Sequence, residues 1–130
     1  MLRGIAAWSS GDFEAYLEVV EQSVDPELEW HAVIAELVEG RAAVYRGHSG
    51  MRRFWEEWHD VWDFRFDQVD FRDLGERLVV LAQISVTGRG SGVELETPLA
   101  MVATFTEGRL IQVDSYLDHD QALTAVGVAD

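Results

Sequence analysis

The clearest chemistry in this chain sits on one short segment, Asp25-Pro26-Glu27-Leu28-Glu29-Trp30-His31. Side chains alternate between the faces of an extended strand, so Glu29 and His31 share one side of it. An imidazole has an unperturbed pKa of about 6.5 and can give or take a proton at neutral pH. A carboxylate within hydrogen-bond reach would fix which ring nitrogen carries the proton. Buried among aromatic rings, Glu29 could itself act as an acid. With the strand faces reversed the pair turns away from any cavity, and His31 could equally be a satisfied core residue. Gln83 and Ser115 are polar residues on otherwise apolar strands. In a pocket they would orient a ligand by hydrogen bonding; otherwise each satisfies a neighbouring group.

Other chemistries find little support. The 130 residues include no Cys, which removes disulfides, thiolate metal sites and a Cys nucleophile. Gly88-Arg89-Gly90-Ser91-Gly92 looks like a phosphate loop but lies between two strands and opens no helix. His31, His48, His59 and His119 lack the spacing of a helical metal site, and three of them read as scattered surface residues, His59 on a solvated helix face. No Gly-x-Ser-x-Gly nucleophile elbow occurs. No metal or cofactor is expected. The net charge of −14, with all ten cations arginine, argues against binding nucleic acid or anionic membranes. No apolar run is long enough to span a bilayer and no signal-peptide core is evident, so a cytoplasmic protein is expected.

The elements that must position these residues follow from periodicity. The length fits a single domain over residues 1–130, and 48% hydrophobic residues are enough for an ordered core. A short helix is predicted over residues 2–8. Asp12 caps a second helix, whose Phe13, Tyr16, Leu17 and Val20 make a core-facing stripe. A strand is predicted from about Glu27 to Ile34, then a loop over Ala35 to Tyr45. Met51 to about Trp62 is the strongest helix signal, with Met51, Phe54, Trp55, Trp58 and Trp62 clustered on one face. Four strands follow: one from Phe64 through Phe71, then 78–87, 93–106 and 109–117, with a short closing helix within 118–126. Helices first and antiparallel strands after make an α+β plan with the helices on one face of the sheet.

The order of elements and several segments resemble the SnoaL-like branch of the nuclear transport factor 2-like superfamily, the cystatin-like α+β cone. The resemblance rests on Ser10-Gly11-Asp12-Phe13, on Asp25 through His31, and on Val44-Tyr45-Arg46-Gly47-His48-Ser49-Gly50-Met51 leading into Arg52-Arg53-Phe54-Trp55. It also rests on the turns Gly88 through Val93 and Glu107-Gly108-Arg109, and on the closing Tyr116-Leu117-Asp118 and Ala122-Leu123. It covers essentially the whole chain, with no single diagnostic motif.

The resemblance implies a curved, mostly antiparallel sheet forming a cone-shaped half-barrel, with N-terminal helices and one long amphipathic helix over its concave face. An apolar small-molecule pocket would lie there, and the outer face, carrying Ala100, Val102, Thr104 and Tyr116, would meet a second copy in a homodimer. Carried over by position, the inward set is Glu29 and His31; Leu81, Gln83 and Ser85; Leu99, Met101, Ala103 and Phe105; and Val113, Ser115 and Leu117. Phe54, Trp55 and Trp58 form the opposite wall, and Trp30 points away from His31. His31 matches the place of the general-base Asp of ketosteroid isomerases. The isomerases' oxyanion Tyr and protonated Asp match Gly4 and Met101 here, so both enolate donors are missing. The Asp–Arg–Asp arrangement of the epoxide hydrolases is also incomplete, with Ser115 in place of one Asp. Two functions remain open. One is a binder of a hydrophobic small molecule through Phe54, Trp55, Trp58, Gln83, Ser85, Met101 and Ser115. The other is a proton-transfer enzyme of cyclase, isomerase or hydratase type, with His31 as base or acid and Glu29 as its partner.

Overall fold

The computed structural model describes Ala7 and residues 11–33, 43–59, 61–90 and 92–127; apart from Ala7, the helix expected over residues 2–8 lies outside them. Helix α1 spans Phe13–Ser23. The Asp12 carboxylate accepts from the Ala15 amide at 3.0 Å, so one of the amides that a helix start leaves unpaired is satisfied. Strand β1, Val24–His31, follows directly. Strand β2, Val44–Arg46, leads into helix α2, Gly47–Trp58. Strands β3 (Trp62–Asp73), β4 (Arg77–Gly88), β5 (Glu94–Thr106) and β6 (Arg109–Tyr116) complete the sheet, and helix α3, His119–Ala125, closes the described chain.

The six strands form one sheet in the order β2-β1-β6-β5-β4-β3. The β1–β6 pair is parallel and the others are antiparallel. The main core lies between the concave face of the sheet and helices α1 and α2, with Tyr16, Val20, Met51, Trp55 and Trp58 packed onto Leu28, Val80, Ile84 and Val113. Burial of these apolar side chains is the main favourable term in holding the helices to the sheet.

Helix α2 begins four residues earlier than the periodicity predicts, because Gly47 and Gly50 let its first turn press against the strands. Gly47 has φ +66°, and a Cβ there would lie 2.8 Å from the Pro26 carbonyl oxygen. A Cβ on Gly50 would lie 2.9 Å from the Tyr45 carbonyl carbon. Only glycine tolerates the first position without strain. Part of the segment predicted as a loop is strand β2, with Glu29 opposite Arg46.

Two expectations about faces are corrected. Val24, Leu28 and Trp30 of β1 and Ala32 just after it turn inward, Leu28 into the core and the other three toward the pocket. By alternation Glu29 and His31 therefore point to the outer face. In β4 the inward residues are Val80, Ile84 and Val86, so Leu81, Gln83 and Ser85 face outward. The inward readings of Leu99, Met101, Ala103, Phe105, Val113 and Ser115 agree with the structure.

A second small core lies on the outer face. Val79, Leu81, Ala100 and Val102 are covered there by Ala122 and Leu123 of α3, with Tyr116 and Val126 packed alongside. The helices thus occupy both faces of the sheet. Of the four outer-face residues expected to meet a second copy, Ala100 and Val102 are covered by this chain's own closing helix.

Candidate functional site: an apolar pocket under two helices

The concave face holds a cavity of about 140 Å³. Helix α1 contributes Tyr16, Val19, Val20 and Ser23, and α2 contributes Met51 and Phe54. The sheet side is formed by Trp30 and Ala32 of the β1 segment, Phe64 and Phe66 of β3, and Ile84 of β4. Leu99, Met101 and Phe105 of β5 and Leu110 and Ser115 of β6 complete that side. No charged side chain stands among the described lining residues. Trp30 and Phe54 stack across one end, with ring centroids 5.8 Å apart. The Tyr16 phenol donates to the Met51 carbonyl oxygen at 2.9 Å, and burial pushes its pKa well above the ordinary value. It acts as a strut between α1 and α2.

Of the residues singled out from sequence, the pocket brings together Phe54, Met101 and Ser115. Trp55 and Trp58 are buried in the helix–sheet core behind it. Trp55 packs against Phe13 and Tyr16, with centroids at 5.4 and 4.8 Å. Trp58 packs against Phe64 at 6.2 Å. Ser85 lies on the outer face, its hydroxyl 3.4 Å from the Glu96 carboxylate. Gln83 sits opposite Pro98 on that same face.

Glu29 and His31 do form a pair: His31 Nε2 lies 2.8 Å from Glu29 Oε1. Both side chains are about two-fifths exposed. His31 also lies 4.0 Å from an Asp114 oxygen, and Arg46 lies 4.0 Å from the second Glu29 oxygen. This polar surface is on the opposite side of the sheet from the pocket. The strand alternation that sends Trp30 inward makes this unavoidable.

Residues that sequence reasoning passed over build the scaffold of the site. Tyr45, 1% exposed, donates to Glu57 Oε2 at 2.7 Å and accepts from Trp58 Nε1 at 2.8 Å. Burial, and then the bond to Glu57, pushes its phenol up to about 12. Its ring lies against Phe54 at 5.0 Å, edge to face, and under the Arg53 guanidinium at 4.8 Å. The usable signal was a Tyr–x₁₁–Glu–Trp spacing across a strand–helix junction, which alone specifies nothing. Three histidines read as surface residues are structural. His48 Nε2 donates to the Val24 carbonyl oxygen at 2.6 Å, and His119 Nε2 to that of Ala82 at 2.9 Å. His59 is half-buried and stacks on Trp55, centroids 3.9 Å apart.

Among the described residues, no group of three or more His, Cys, Asp or Glu is placed to hold a metal ion. Also among them, no helix is long and apolar enough to cross a membrane.

Comparison with known proteins agrees with this geometry. The SnoaL-like domain family matches residues 2–113. No curated protein matches the chain. Among solved structures, TerC co-crystallised with polyporic acid is 21% identical, with a TM-score of 0.72 over 95% of this chain and 92% of that one. A protein with a ketosteroid isomerase-like fold from Catenulispora acidiphila, in complex with trimethylamine, is 11% identical. It has a TM-score of 0.71 over 98% of this chain and 92% of its own. A proposed polyketide cyclase from Pseudomonas putida is 15% identical, with a TM-score of 0.69 over 98% and 93%. At these identities the likeness to solved structures speaks for the fold alone. With the family match covering most of its length, and with helices roofing the hollow of a six-stranded sheet, the chain belongs to the SnoaL-like domain family.

Proposed function

We propose that the chain binds an apolar small molecule in the pocket beneath α1 and α2, and that binding rather than acid–base catalysis is its activity. The observation that carries this reading is the pocket's lining: among the described residues it is aliphatic, aromatic and Met side chains, with polar atoms on Tyr16, Ser23, Ser115 and the Trp30 indole alone. General acid–base catalysis needs a titratable group within hydrogen-bond reach of the substrate. Among the described lining residues Tyr16 alone titrates, and its phenol is committed to the Met51 carbonyl. The absence of cysteine fits a reducing cytoplasm as its setting. A second copy, if one docks on the outer face, would use strand surface beside α3 rather than the strip beneath it. The test is a thermal-shift screen of neutral hydrophobic compounds followed by calorimetry, repeated on Leu99→Trp, which fills the pocket. Hits that vanish in the variant support the reading. Hits retained in the variant would place the binding elsewhere and refute it.

The Glu29–His31 hydrogen bond favours a second reading, proton transfer by His31. It requires a substrate lying on the outer face at β2-β1-β6. If turnover of any oxygenated hydrophobic substrate is found, His31→Ala should abolish it; an unchanged rate removes His31 from the mechanism.

A further inference from the structure

We infer that the pocket's ligand is an uncharged compound built on one six-membered ring, carrying a single hydroxyl or carbonyl group that hydrogen-bonds Ser115. This rests on the pocket reading above and narrows it to a ligand class. Size comes first. An apolar cavity of about 150 Å³ in a protein core stays dry and takes up benzene; at about 140 Å³ this pocket has room for one ring and a small substituent. A fused polycyclic skeleton exceeds that volume, so it would have to leave part of itself outside the pocket or displace close-packed walls, which resist that.

Charge comes second. An ionised group moved out of water with no counter-charge is strongly disfavoured, and the described lining offers none. A carboxylate or ammonium on the buried part of the ligand is therefore selected against. Shape comes third. Trp30, Phe54, Phe64, Phe66 and Phe105 present ring faces and edges to the space, surfaces that pair well with another ring.

Ser115 supplies the orientation. It stands on β6 opposite Met101. On the other side, the parallel register pairs Trp30 with Val113 and His31 with Asp114, which brings the small side chain of Ala32 level with Ser115. A pocket-lining hydroxyl beside an alanine leaves space for a ligand oxygen. No hydrogen bond to another described residue engages the Ser115 hydroxyl. Ser23, the other lining serine, is the last residue of α1 and lies on the helix side of the space, whereas Ser115 stands on the sheet side among the ring-bearing residues.

The test is calorimetric titration of the full chain with p-cresol, toluene, p-toluate and the three-ring ketone anthrone. The expected order is p-cresol tightest, toluene next, and p-toluate at least tenfold weaker than p-cresol. Ser115→Ala should weaken p-cresol roughly five- to tenfold, the range of one neutral hydrogen bond, and shift toluene less than twofold. Ser115→Thr, which keeps the hydroxyl, should restore p-cresol to within about threefold. Anthrone binding tightly while p-cresol fails overturns the ring-size inference and leaves the pocket reading standing. Equal affinity for p-toluate and p-cresol overturns neutrality, and equal losses for toluene and p-cresol in Ser115→Ala overturn the role of Ser115. If none of the four binds, the pocket reading fails together with the inference.

Discussion

Replacing Tyr45 with Phe removes one oxygen atom from the joint that holds α2 to β2, and it should cost the fold about 2–4 kcal/mol. The oxygen makes two bonds, to Glu57 at 2.7 Å and from Trp58 Nε1 at 2.8 Å. The two losses differ in kind. The Glu57 side chain is 42% exposed and also pairs with Arg53 at 3.4 Å, so water takes over its lost donor. Trp58 is 1% exposed and its indole N–H has no such replacement. A buried donor stripped of its partner costs about 1–3 kcal/mol, and the lost bond to an ionised acceptor adds about 1. The phenyl ring remains, so contact with Phe54 and the Arg53 guanidinium is kept. For a chain of 130 residues the transition should fall by roughly 10 °C. Urea unfolding followed by tryptophan fluorescence measures the loss directly. A double-mutant cycle with Trp58→Phe should return a coupling above about 1 kcal/mol. A loss below about 0.5 kcal/mol in the single variant, or strict additivity in the cycle, refutes the assignment of Tyr45 as the joint.

Alkaline unfolding should follow from the same residue. The folded Tyr45 phenol ionises near 12 against 10 in the unfolded chain, so the unfolded chain loses its proton first. Stability is complete below pH 10 and declines by roughly 2–3 kcal/mol as pH rises through 12. Tyr16, also raised by burial, acts in the same direction; a flat profile between pH 10 and 12 contradicts both. Gly47→Ala should destabilise by about 2 kcal/mol or more, since it combines φ +66° with a new methyl 2.8 Å from the Pro26 oxygen; a thermal melt within 2 °C of the parent would disprove the close approach. Leu123→Ala should cost about 2–4 kcal/mol, because Leu123 is 4% exposed over the outer-face strip; a negligible change in denaturant midpoint would mean that α3 is not a cover. His31→Ala, at a site 42% exposed, should alter stability by less than about 1 kcal/mol and leave pocket ligands bound within twofold by calorimetry.

Much of the fold was legible because its signals are local. Phe13, Tyr16, Leu17 and Val20 mark α1, Asp12 caps it, and the strand runs after Phe64 end at Gly-containing turns. The orientation of β1 was equally legible: apolar Val24, Leu28, Trp30 and Ala32 alternate with polar Asp25, Glu27, Glu29 and His31. Position-by-position analogy with isomerases sent His31 inward, whereas period-two alternation sends Trp30 inward, and alternation prevailed because burying an indole is far cheaper than burying a carboxylate. In β4, Gln83, Ser85 and Thr87 mark the outer face of one half. The other half, Leu78-Val79-Val80-Leu81, is apolar on both sides, which signals cover on both faces, here the core and α3. The Tyr45–Glu57–Trp58 joint and the three backbone-bound or stacked histidines were not legible. Each depends on partners brought together only by tertiary packing, and no spacing rule encodes that.

The parallel pairing of β1 with β6 sets an order of events for a chain emerging from the ribosome. Val24 and Leu110 are register partners, so β1, which has β2 as a local neighbour, gains the strand on its other side only once residue 110 has been made. Until then Leu28 and Trp30 lack the side of the sheet that shelters them. Because non-local pairing is slow to form, the apolar side of β1 is left waiting while residues up to 110 are made, and chains that stall before that point should be the ones that chaperones hold.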